Sequence, residues 1–123
     1  WWSMGLPPEW WAEAEEDSIL IGDHDGVGCI EISTLHKESG EFDSDALRAI
    51  ARDESEQPVD WQDATLGDFK GVRGSYVAEG AGIREWYVGK GAMMLFITYS
   101  CDEENRGMDD AAVDELLDTL LEV

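Results

Sequence analysis

The stretch VRGSYVAEGAGIREWYVGKGAMMLFITYSC, residues 72–101, decides the fold. Its apolar, β-favouring runs predict strands over 72–79, 83–88 and 92–101. Between them lie Gly80-Ala81-Gly82 and Gly89-Lys90-Gly91, residues suited to tight turns with positive φ. Short connections make neighbouring strands antiparallel, so the stretch reads as a three-stranded meander. Its last strand, Met93-Met94-Leu95-Phe96-Ile97, is apolar on both faces. Such a strand belongs at the centre of a sheet, covered on both sides.

Working outward, the chain closes on an amphipathic helix. Val113, Leu116, Leu117 and Leu120 recur at helical spacing, and Asp110, Asp114, Asp118 and Glu122 take the other side. Asp109 suits the N-cap, and Met108 is placed to staple onto Val113. Leu95 and Ile97 should meet this helix through Leu116 or Leu120. Upstream, Asp43 or Ser44 can cap a helix over 44–51, with Ala46, Leu47, Ile50 and Ala51 as its apolar stripe. Pro58 closes the polar segment after it. Before the helix, 18–21 and 28–35 read as a β-hairpin around Asp23-His24-Asp25-Gly26, with Ile30 and Ile32 on one face and Glu31 and Ser33 on the other. The opening Trp1-Trp2 and the run from Trp11 read as two more strands, parted by Pro7 and Pro8. The expectation is one α+β domain over 1–123, a twisted antiparallel sheet flanked by helices.

Composition narrows the function. Twenty-nine acids against eight bases give a net charge of −21. Such a chain repels nucleic-acid phosphates and anionic membranes. A solvated acidic surface, adaptation to salt, and recognition of a basic partner all agree with that charge. No apolar run approaches the roughly 20 residues needed to cross a bilayer, and no basic region followed by an apolar stretch opens the chain. A cytoplasmic protein is expected, although a chain that starts without Met leaves an upstream segment open.

Motifs for chemistry are sparse. Lys90 sits between two strands rather than at a helix start, so Gly89-Lys90-Gly91 is no phosphate loop. Residues 102–113 fail as a calcium loop at Arg106 and at Val113, where oxygen ligands are required. Asp23 and Asp25 flank His24, but turn chemistry accounts for both. His24 and His36 lie in no nucleophile–base motif. Cys29 and Cys101 lack metal-ligand spacing and read as free thiols, with a cross-strand disulfide as the alternative. The expectation is therefore no catalytic residue, no cofactor and no metal.

What remains is the tryptophan-rich opening. Trp1, Trp2, Trp10 and Trp11 either close a core edge or offer anchors to a partner, since Trp is enriched at interface hot spots. The leading expectation is a non-enzymatic protein-binding module whose partner offers an apolar segment with basic flanks. A homodimer stays open. The alternatives are a small hydrolase or sugar-binding protein using carboxylates and Trp platforms, and an acidic inhibitor mimicking nucleic acid.

Several short stretches resemble the small PsbP-like fold family. Leu6-Pro7-Pro8-Glu9-Trp10 looks like its Leu-Pro-x-x-Trp lead into the second strand. Phe69-Lys70-Gly71-Val72-Arg73-Gly74 looks like its glycine-containing strand after the first helix. Arg84-Glu85-Trp86-Tyr87 through Thr98-Tyr99 is similar to its hairpin, and 113–121 to its closing helix. That family includes the extrinsic photosystem subunit, a Ran-binding nuclear import factor and bacterial adaptor chaperones for secreted effectors. The resemblance implies an α-β-α sandwich that acts by binding proteins, with the effector-adaptor branch the nearest. It supplies no catalytic residues to carry over.

Overall fold

The computed structural model describes residues 2–6, 8, 10–16, 18–23, 28–37, 40–54, 59–105, 107 and 110–122, and only the backbone of Asp23, Ser44 and Glu122. Its elements in chain order are β1 (Trp2–Ser3), β2 (Trp10–Ala14), β3 (Ser18–Asp23), β4 (Gly28–His36), α1 (Ser44–Glu54) and β5 (Gln62–Leu66). β6 (Phe69–Ala78), β7 (Ala81–Lys90) and β8 (Met93–Asp102) follow, then a 3-10 turn, α2 (Asp110–Leu117) and β9 (Leu121–Glu122). The chain is thus mixed α+β, mostly sheet, with two α-helices among the described residues.

Seven strands form one antiparallel sheet in the order β2-β3-β4-β8-β7-β6-β5. Two meanders meet at β4 and β8. α1 links them by carrying the chain from β4 to the far edge, where β5 begins the return. The doubly apolar strand β8 occupies the middle of the seven, as its sequence requires. β1 and β9 pair apart from this sheet, Trp2 opposite Glu122 and Ser3 opposite Leu121.

Period-2 alternation sends neighbouring residues of each strand into two separate clusters. On one face Trp86, Val88, Leu95 and Ile97 are buried with Val113, Leu116, Leu117 and Leu120. On the other, Val72, Tyr87 and Met94 are buried with Phe42, Leu47, Ala51 and Trp61. α2 therefore covers the first face, and α1 packs on β6 and β7 across the second. Asp43 is the N-cap of α1: its Oδ1 accepts from the Ala46 N–H at 2.7 Å. The proposed cap and staple of α2, Asp109 and Met108, lie outside the described residues, as does the turn at 24–27.

Several boundaries differ from expectation. The turns fall on Glu79-Gly80 and Gly91-Ala92, where φ is positive at Glu79, Gly80 and Gly91, while Gly82 and Gly89 continue a strand. At Gly89 the reason is packing, since a Cβ there would sit 3.0 Å from the Phe42 Cβ. β6 begins at Phe69 and β8 at Met93. β2 begins at Trp10, which faces inward. β5 was not expected, because Gln62, Asp63 and Thr65 are polar. It is held by pairing with β6 through a turn at Gly67, whose φ is +58°. A Cβ at Gly67 would stand 1.8 Å from the Leu120 carbonyl oxygen, so only glycine fits. α2 ends at Leu117 instead of reaching residue 121. Leu120 still enters the core, from the turn that leads into β9.

Candidate functional site

The four opening tryptophans do not form one exposed patch. Trp10 is 8% exposed and belongs to the α2-side core. Trp2 packs on the same cluster, and its Nε1–H donates to the Thr34 Oγ1 at 3.0 Å. Trp1 lies outside the described residues. Trp11, one residue beyond Trp10 on the strand, points to the opposite face and is 37% exposed. Its ring packs against Gly22, where a Cβ would come within 2.5 Å of Cζ2. Trp2 and Trp10 are thus core closures, and Trp11 alone of the described three is placed as a surface anchor.

Trp11 stands at the edge of an open half-face. α1 covers this side of the sheet over β6 and β7, and no described helix packs comparably on β2, β3 or β4. By register, Trp11, Glu13, Leu20, Glu31, Ser33 and Leu35 share that surface. Leu35 is 53% exposed. An aromatic row leads into it from the covered side. Trp61 meets Tyr87 edge-on at 5.6 Å, and Tyr87 stacks on Phe96 at 4.6 Å. Apolar side chains here alternate with carboxylates at Glu13, Glu31 and Glu85.

Three groups on this side of the sheet, Glu85, Tyr87 and Cys29, are shifted toward their neutral forms. Burial pushes the Glu85 carboxyl above its ordinary range, and a hydrogen bond from Tyr76 partly offsets that. Burial also raises the Tyr87 hydroxyl, with the Glu85 charge adding to it. The Cys29 thiol is raised by burial first and by Glu31 second, so thiolate is disfavoured there. Cys29 pairs with Ser100, and Gly28 with Cys101. The two cysteines are therefore adjacent in register but on opposite faces, and both are free.

The α2 side carries two adjoining hollows of about 410 and 400 Å³, divided by Ser75, Arg84 and Asp110. Arg84 dominates both. Its guanidinium lies 4.6 Å from the Trp86 ring centroid and reaches Asp114 at 2.8 Å and Asp110 at 3.4 Å. These contacts fasten α2 to the sheet. Asp110 and Asp114 are committed to Arg84, and Trp86 is 1% exposed beneath it. In these hollows, then, Asp110 and Asp114 are not a free carboxylate pair, and the Trp86 indole is not open to a sugar ring. No group of three His, Cys, Asp or Glu placed to hold a metal ion occurs among the described residues. His24 and Asp25 of the Asp-His-Asp cluster lie outside them.

The geometry defines the class first: a mixed α+β domain built on a seven-stranded antiparallel sheet, covered on one face except along the β2 edge and about half covered on the other. No family model matches the chain, and no curated protein matches it in sequence. Several solved structures share the fold, among them the following two. A crystal structure from Bacteroides thetaiotaomicron VPI-5482 superposes with a TM-score of 0.72 at 21% identity, covering 100% of this chain. The chain spans 45% of that protein's length. LpqN, involved in cell envelope biogenesis of Mycobacterium tuberculosis, superposes with a TM-score of 0.64 at 17% identity, over 97% of this chain and 81% of LpqN. At these identities the likeness is one of fold, and fold alone does not carry an activity.

Proposed function

We propose that this domain is a non-enzymatic protein-binding module of the PsbP-like kind, an adaptor or chaperone acting in the cytoplasm. One observation carries the reading. Half of one sheet face is left uncovered, and it joins Trp11, Leu20 and Leu35 to Glu13 and Glu31, with the half-buried Glu85 beside it on β7. Apolar groups on such a surface gain by being covered, since each Å² of apolar area removed from water is worth about 25 cal/mol. The interleaved acids select what covers them. A segment with apolar side chains and basic flanks matches both features, and the charge of −21 steers it in.

Affinity capture from the source cell, compared between the natural chain and a Trp11→Ala, Leu35→Glu double variant, tests the reading. The expected result is a client recovered reproducibly by the natural chain and lost with the variant, whose circular dichroism is unchanged. A natural chain that captures nothing reproducibly, yet hydrolyses a glycoside or ester in a substrate panel, would overturn it.

A further inference from the structure

The two edges of the seven-stranded sheet are not equivalent. At the β5 edge, Arg48 of α1 donates to the Trp61 carbonyl at 2.8 Å and pairs with Asp63 at 2.7 Å. The turn beyond β5 is tied down by the Asp68 N–H, which donates to the Leu120 carbonyl at 2.9 Å. At the β2 edge, residues 11–14 are all exposed, and no described strand pairs with the outer side.

The direction of the β2 backbone groups follows from one hydrogen bond. The Glu15 N–H donates to the Ser18 carbonyl at 2.8 Å, closing the β2–β3 hairpin. In an antiparallel ladder, hydrogen-bonded and non-hydrogen-bonded pairs alternate. Glu13–Leu20 and Trp11–Gly22 are therefore the bonded pairs. Ala12 and Ala14 turn their N–H and C=O groups outward, and no described residue meets them.

The side chains along this edge complete a template. Ala12 and Ala14 lie on the α2 side next to Ile21 and Ile19, in the row that Trp10 ends. Two exposed alanines beside isoleucines leave room for larger apolar side chains on an added strand. On the other side stand Trp11 and Glu13, an aromatic ring and a carboxylate that both favour a cation.

We propose that a partner segment joins this sheet as an eighth strand alongside β2, with large apolar side chains toward Ala12 and Ala14 and Lys or Arg toward Trp11 and Glu13. This rests on the protein-binding reading and specifies how the segment is held. The segment's main chain bonds Ala12 and Ala14, and its alternate side chains give the specificity. A second copy of this chain is a poor occupant. Its own Glu13, Glu15 and Glu16 would come against the same acids, a like-charge device by which edge strands avoid one another.

A blocked synthetic peptide of alternating Val and Lys is the probe, titrated by tryptophan fluorescence. Expected with it are slowed hydrogen exchange at the Ala12 and Ala14 amides and an affinity that falls with added salt. Ala12→Pro removes one outward donor at a position where an edge strand tolerates proline. It should weaken binding by about tenfold or more without changing the native spectrum. Should that variant unfold, a peptide N-methylated on alternate residues carries the same test and should bind about tenfold or more weakly. Equal binding by the methylated and parent peptides would overturn strand addition. So would equal binding by a block peptide of the same composition, lost on Leu35→Glu, although the face-binding reading would survive. Binding by neither peptide would overturn both. A dimer that forms without peptide and dissolves on Ala12→Pro would make the second copy the occupant and overturn the choice of partner.

Discussion

One face of this sheet is closed except along its β2 edge and the other is half open, and the helices do not explain the difference. α1, with 11 residues, is about 16 Å long, and α2, with 8, about 12 Å. Seven strands at about 4.8 Å spacing span roughly 29 Å. Neither helix can cover the sheet alone, and the shorter one lies on the closed face. The chain ends make up the deficit there. Trp2 and Met4 pack on the α2-side cluster, and the Gly5 N–H donates to the Thr119 Oγ1 at 2.9 Å. The buried set consequently runs from Trp10 on β2 to Leu66 on β5. On the α1 side no described segment performs that service, and the buried cluster reaches only as far as Met94 of β8.

The largest effect should come from the closed face. Leu116 is 2% exposed, and Leu116→Ala should cost about 2–5 kcal/mol in denaturant unfolding. Combining it with Leu47→Ala sharpens the comparison. Separate clusters predict losses that add within about 0.5 kcal/mol, and strong coupling would mean the two faces act as one core. Next comes the cap that starts α1. Asp43→Ala should cost about 0.5–2 kcal/mol, and Asp43→Asn much less.

Glu85 gives a smaller, pH-dependent effect. Burial raises its carboxyl above the ordinary 4.5, so the folded state holds the proton more tightly than the unfolded one. Its ionisation therefore opposes folding. That cost is absent below about pH 4.5, grows through the interval up to the raised value, and is fully present above it. Glu85→Gln should melt higher than the natural chain at pH 7, with the gap closing toward pH 4.5. Glu103→Gln, at an exposed site, controls for lost net charge. A gap independent of pH would break the account. The least effect belongs to the open half. Leu35→Ser should change stability by no more than about 0.5 kcal/mol in the same unfolding assay. A loss above about 1 kcal/mol would show that this face is covered after all.

Much of the sheet was legible because its signals are local. Glycines at 80 and 91 marked the turns to within a residue. The doubly apolar run at 93–97 placed its strand centrally, and the alternation of Ile30 and Ile32 with Glu31 and Ser33 separated the two faces correctly. β5 was not legible, because an edge strand with one buried residue at its end, Leu66, carries almost no apolar period. The fate of the tryptophans was hidden for a different reason. Trp10 and Trp11 are chemically identical and adjacent. Only the register with β3, set by the hairpin closed by Glu15 and Ser18, sends one into the core and leaves the other at the surface. The open half-face is more elusive still, since it depends on how far α1 and the chain ends extend in space.

The pairing of β1 with β9 has a mechanical consequence. Trp2 and Glu122 stand opposite each other at the same end of a two-pair antiparallel ladder. A pull on the two ends of the chain loads these pairs in turn, an unzipping geometry with no shear across parallel bonds. The ribbon should yield at low force, handing the load to β2 and α2, the elements next along the chain. The domain would then behave as a weak link under tension, giving first at the seam that joins its ends while the central strands β4 and β8 stay paired.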